Sequence, residues 1–127
     1  MKQIITILNR PASKKNSKQV FYRNGRYNVI SSKAYTAFEK DALTQLLIYK
    51  RYRIDYPVRV TYTFYQKGKY TQDYSNASGT IDDILEKAGI LENDKWIKEA
   101  HIYIKNGASD WKTEIIIEDI KLATLAK

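Results

Sequence analysis

No cysteine occurs among the 127 residues, so neither a disulfide nor a thiolate zinc site can form. A single histidine, His101, leaves a zinc-hydrolase cluster without its usual ligands, and any bound metal must be held by oxygen. Long apolar runs are missing too. Ile4–Leu8 and Ile115–Ile117 fall far short of the roughly 20 residues that span a bilayer, and Met1–Arg10 has no apolar h-region or small-residue cleavage site. These absences predict a soluble, cytoplasmic protein with no membrane contact. Acid is absent from residues 1–38, which carry Lys2, Arg10, Lys14, Lys15, Lys18, Arg23, Arg26 and Lys33; these eight cations equal the whole net charge of +8. The other 89 residues are balanced, with 14 cations and 14 acids. A basic surface of this kind attracts a phosphodiester backbone.

The length predicts one domain, residues 1–127, able to bury roughly two thirds of its unfolded surface. Lys2–Leu8 is β-branched and apolar and reads as a strand that Pro11 ends. Ala12–Lys18 has no apolar periodicity and reads as a polar loop. Gln19–Arg23 and Arg26–Ile30, joined by Asn24-Gly25, predict a basic two-residue hairpin. Ser31 or Ser32 can cap a helix running to about Tyr52, because Tyr35, Phe38, Ala42, Leu46 and Tyr49 recur at helical spacing. Val58–Tyr65 alternates apolar and polar residues as a half-buried strand does. Between Asn76 and Lys87, Ile81, Ile84, Leu85 and Ala88 mark a short amphipathic helix that Gly89 closes. Trp96–Ile104 and Trp111–Ile120 read as two further strands, with Asn106-Gly107 favouring a hairpin between them. The predicted fold class is α+β: one mainly antiparallel or mixed β-sheet with two helices packed on it.

Within this basic chain, Asp73, Asp82, Asp83 and Asp94 gather around the second helix. A hard cation such as Mg²⁺ takes one or two carboxylates plus waters and substrate phosphate, and acids at both ends of one helix can supply them. The same residues also have plainer uses. Asp73, Ser75 and Asn76 suit an Asx turn and helix cap, Asp82 suits a solvated first-turn acid, and His101, Trp96 and Trp111 suit strand packing. Eleven tyrosines could serve the sheet, or offer stacking faces.

The order Asp73-Tyr74-Ser75-Asn76, Gly79, Asp83-Ile84-Leu85, Ala88-Gly89 and Asn93-Asp94-Lys95-Trp96-Ile97, preceded by Pro11–Lys18 and Ser32–Tyr35, resembles the RusA-type Holliday junction resolvases. These are small endonucleases common in phages and prophages, and the likeness spans most of residues 1–104. It implies that Asp73 and Asp94 bind Mg²⁺, with Mn²⁺ as a possible substitute, that Asp83 supports them, and that Asn76 belongs to the same motif. Ser75 stands where many members have a second Asp, and Gly79 where many have a catalytic Lys. The expected activity is paired symmetric nicking of four-way or other branched DNA by a homodimer, without a nucleotide cofactor. Asp73, Asp94, Ser75 and Asp83 form the expected catalytic set. Lys14, Lys15, Asn16, Lys18, Arg23, Arg26, Asn76 and Lys95 are the expected DNA contacts. The alternatives are a junction-binding protein that has lost cleavage, and a less selective branched-DNA nuclease.

Overall fold

The computed structural model describes residues 2–12, 18–23, 26–31, 33–49, 53–68 and 74–120, with the backbone alone described for 18–23, 26–31 and 74–76. The element order is β1 (Lys2–Leu8), β2 (Lys18–Arg23), β3 (Arg26–Ser31), α1 (Lys33–Gln45), β4 (Val58–Tyr65), α2 (Tyr74–Lys87), β5 (Ile97–Lys105) and β6 (Lys112–Asp119). One four-stranded sheet has the order β1-β6-β4-β5, and β2 and β3 form a separate two-stranded sheet. The α+β expectation is met, and among the described residues no helix is long and apolar enough to cross a membrane.

Alternation dictates which side of the sheet is covered. In β4, Val58, Val60, Tyr62 and Phe64 are buried. Ile5 and Ile7 of β1 and Ile115 and Ile117 of β6 share that face and are also buried. Phe38, Ala42 and Leu46 come down on it from α1 and the 3₁₀ turn Leu46–Tyr49 that follows, and Ala77, Ile81, Ile84 and Leu85 from α2. Each such Val, Ile, Leu or Phe side chain withdraws enough apolar area to contribute about 1.5–3 kcal/mol. Gly89, at φ +78, ends α2, since few residues other than glycine adopt that conformation. Arg23 pairs with Arg26, so β2 and β3 keep the register of a two-residue hairpin whose turn, 24–25, lies outside the described residues.

Two expectations are corrected. The first helix becomes 3₁₀ at Leu46 instead of running to Tyr52, and residues 50–52 lie outside the described set. The hairpin expected at Asn106-Gly107 does not form, because β5 pairs parallel to β4 while β6 pairs antiparallel to β4 on its other side. Residues 106–111 instead pass over the end of β4, where Gly107 N–H donates to Gly68 O (3.1 Å) and Ala108 N–H to Gln66 O (3.0 Å). A parallel neighbour needs a crossover, and α2 supplies it, making β4-α2-β5 a βαβ unit.

The two sheet edges differ. On β1, Gln45 of α1 accepts from Leu8 N–H (2.7 Å) and donates to Leu8 O (2.8 Å), which occupies the Leu8 end of that edge. On β5, Ile102 and Ile104 lie on the core side of the sheet yet remain 40% and 50% exposed.

Thr113 is fully buried between Ile7 and Phe64, and its hydroxyl meets no partner among the described residues. Thr113→Val keeps the shape and removes that unsatisfied group, so a gain of about 1 kcal/mol is expected in denaturant unfolding. A loss of stability would instead reveal a partner for the hydroxyl.

Candidate active site

Helix α2 buries Ala77, Thr80, Ile81, Ile84 and Leu85, a set spaced three and four apart. That face fixes the helix rotation and so decides where each acid points. Positions 75, 79, 82 and 86 form one stripe along its flank, because residues three or four apart stack on one side. Asp82 and Glu86 lie on this stripe, and a Cβ added at Gly79 would meet nothing within 4 Å. Ser75 occupies the stripe position about two turns, or roughly 10 Å, before Asp82.

Asp82 is the acid that the fold holds most firmly. It is half-buried and accepts a hydrogen bond from the hydroxyl of Tyr62, itself only 1% exposed in the middle of β4. Burial pushes the Asp82 carboxyl up to about 7, and the carboxylates of Asp94, Asp83 and Glu86 push the same way, while the Tyr62 bond opposes them. Burial, and then the charge of Asp82, also raises the Tyr62 phenol. The reading of Asp82 as a solvated first-turn acid is thereby corrected. It sits in the third turn, against the sheet.

Asp94 opens the 3₁₀ turn Asp94–Trp96, which Asn93 caps by accepting from Lys95 N–H at 2.8 Å. Asp94 N–H donates to Glu86 Oε1 (2.7 Å), so the turn is tied to the helix stripe through its backbone while its own carboxylate stays exposed. Lys95 lies beside it, exposed, with its ammonium 5.1 Å from the centroid of the Trp96 ring. Asp83 takes a different direction. It is exposed, and its charge is felt by Tyr35 of α1, next to the Lys87–Glu39 ion pair (2.7 Å) that joins the two helices.

Of the expected site residues, the structure brings Asp94 to the Asp82–Glu86 stripe and sets Asp83 on the helix flank toward α1. Asp73, Lys14, Lys15 and Asn16 lie outside the described residues. Ser75 and Asn76 begin α2, and Lys18, Arg23 and Arg26 lie on the hairpin, with only their backbones described. Sequence reasoning passed over Tyr62 and Glu86 and misjudged Asp82. The i, i+4, i+7, i+11 spacing of 75, 79, 82 and 86 was the available signal, along with a core-facing tyrosine whose hydroxyl needs a partner.

Among the described residues no three His, Cys, Asp or Glu side chains converge as a metal cluster. The charge of Asp94 raises the Asp82 carboxyl, and both side chains offer hard oxygen donors, the donor chemistry that suits Mg²⁺ bound by one or two carboxylates and water. In comparisons with known proteins, no family model and no curated protein matches the sequence.

The raised carboxyl has a stability consequence of definite sign. With its pKa raised in the fold, Asp82 favours folding fully below the ordinary carboxylate pKa, and that contribution is lost as pH rises through about 7. Asp82→Asn keeps an acceptor for Tyr62 and removes the charge. Its Tm is expected to exceed wild type by several degrees at pH 8 and to approach it at pH 4, in metal-free buffer. An equal gap at both pH values would mean that Asp82 does not titrate in that interval.

Proposed function

We propose that this protein is a metal-dependent endonuclease that resolves four-way DNA junctions by paired symmetric nicks. The observation that supports it most is the joining of Asp94 to the Asp82–Glu86 stripe of α2 in a chain whose first 38 residues carry eight cations and no acid. The resemblance of 73–76 and 93–97 to the RusA-type resolvases supplies the reaction class. Asp73 and Asp94 would hold Mg²⁺ or Mn²⁺, with Ser75 assisting and Asp82 within the field of Asp94, while Asp83, turned toward α1, would stand apart from the ion. A divalent ion bound there lowers the pKa of its water and offsets charge on the scissile phosphate. The chain's own groups do the positioning. Tyr62 fixes Asp82, Glu86 fixes the backbone of Asp94, and Lys95 adds a cation beside it. Lys14, Lys15, Asn16, Lys18, Arg23, Arg26 and Asn76 would bind the DNA backbone and hold its register.

A junction carries two symmetry-related strands, and a C₂ homodimer cuts both within one complex. The β5 edge is the surface best suited to the second subunit, since Ile102 and Ile104 are exposed there, whereas Gln45 occupies the Leu8 end of the opposite edge. Ile102→Glu is expected to shift the protein to monomer in sedimentation experiments, whereas wild type that is monomeric with and without junction DNA would remove the dimer from this reading.

A second reading, a junction-binding protein without cleavage, is favoured by Ser75 and Gly79, which bring neither charge nor cation to the stripe. A labelled four-way junction in Mg²⁺ or Mn²⁺, with linear duplex as competitor, separates the two. Paired nicks lost in both Asp73→Asn and Asp94→Asn are the expected result. Tight binding without nicks in either metal would establish the binding protein, and equal cutting of flaps and junctions the less selective nuclease.

A further inference from the structure

The face of the main sheet turned away from the helices has its own chemistry. Its side chains fall into four rows set by the strand registers. The first row is Leu8, Lys112, Tyr65 and Lys105, and the last is Lys2, Glu118, Arg59 and Glu99. The last row is balanced internally: Arg59 pairs with Glu99 at 2.5 Å, and Glu99 also meets His101 at 2.9 Å. The first row is not. Lys112 and Lys105 flank Tyr65 on its two neighbouring strands, and their ammonium groups lie 4.5 Å and 5.7 Å from the centre of its ring. No carboxylate among the described residues forms an ion pair with either lysine.

Just beyond this row the β1–β6 ladder continues through Asn9 N–H to Trp111 O (3.1 Å), and there the guanidinium of Arg10 lies 4.7 Å from the centre of the Trp111 ring. The nearby Asp110 is engaged by Lys67 at 3.5 Å. This end of the open face therefore sets Lys105 and Lys112 on either side of Tyr65, with no carboxylate among the described residues paired to either lysine. Glu114 follows in the second row and marks where the cationic end stops. Exposed Tyr103 stands diagonally across from Tyr65, about 7–8 Å away in ordinary sheet geometry.

Two lysines with no carboxylate paired to them among the described residues call for an anionic ligand, and the Tyr65 ring between them calls for one that also has a flat apolar face. A duplex hides its base faces, whereas a single strand offers both bases and phosphates. We propose that this end of the open sheet face binds single-stranded DNA, whose phosphates draw Lys105 and Lys112 off the Tyr65 ring so that a base stacks in their place. The proposal rests on the nucleic-acid part of the function proposed above but not on cleavage, since Asp82 and Glu86 lie on α2, which packs on the opposite face of the sheet, and Asp94 is tied to Glu86.

The test is fluorescence anisotropy of a labelled oligothymidylate, and of a blunt duplex of equal length, in EDTA. Wild type is expected to prefer the single strand. Tyr65→Ala should weaken that binding by about 5- to 100-fold while Tyr65→Phe retains it, as expected for stacking on a ring. Lys105→Ala with Lys112→Ala should lower the slope of log affinity against log salt by about 1.4, the value for two phosphate contacts to a single strand. Oligothymidylate binding that is absent, no better than duplex binding, or unchanged in these variants would overturn the proposal, leaving the lysines as guards of the sheet surface. Loss of single-strand binding in Tyr65→Ala with junction nicking intact separates this face from the catalytic reading. Single-strand binding by a protein that never nicks would sink the nuclease alone.

Discussion

Strand β4 is the constraint on which the rest of the molecule depends. It is paired on both sides, antiparallel to β6 and parallel to β5, and a parallel neighbour cannot be reached by a turn. The chain must leave β4, cross the sheet and return, and α2 is that crossing. Ser75, Asp82 and Glu86 ride on it, and Asp94 lies on the return. The same strand supplies Tyr62, whose ring lies in the core beside Phe64 and whose hydroxyl reaches Asp82. A single residue of the central strand thus connects the packing of the core to the charge on the helix.

Electrostatics and packing oppose each other at this point, and magnitudes decide the outcome. Asp82 is surrounded by the fields of Asp94, Asp83 and Glu86 and is partly withdrawn from water. Ile81, Ile84 and Leu85 are fully buried, each contributing about 1.5–3 kcal/mol, which exceeds the repulsion among carboxylates that keep access to solvent. The helix therefore stays docked with its acids in an unfavourable field. Such fields are characteristic of sites that await a cation or a proton, although structural networks produce them as well.

Much of this was legible in the sequence because the signals were local. Alternation in Val58–Tyr65, the spacing of Ile81, Ile84 and Leu85, and the turn residue Gly89 identified their elements. The parallel pairing of β4 and β5 was not legible. Asn106-Gly107 has the composition of a hairpin turn, yet the core-facing residues of β4 need apolar neighbours on both sides, and that long-range demand prevailed. Asp82 was misread for a related reason. Its place in the third turn looks solvated on the helix alone, and only the tertiary approach of Tyr62 makes it half-buried.

The two edges and two faces of the sheet divide the molecule's chemistry. Gln45 supplies Leu8 of β1 with both a donor and an acceptor, as a further strand would, so that end of the edge is closed to another chain. Nothing comparable among the described residues covers Ile102 and Ile104 on β5. On the covered face, α2 collects acids; on the open face, Lys105 and Lys112 collect around Tyr65 with no acid among the described residues paired to them. Opposite charges on one face would have neutralised one another, as Arg59 and Glu99 do at the far end. Separated by the thickness of the sheet, the two sets form no ion pair with one another among the described residues.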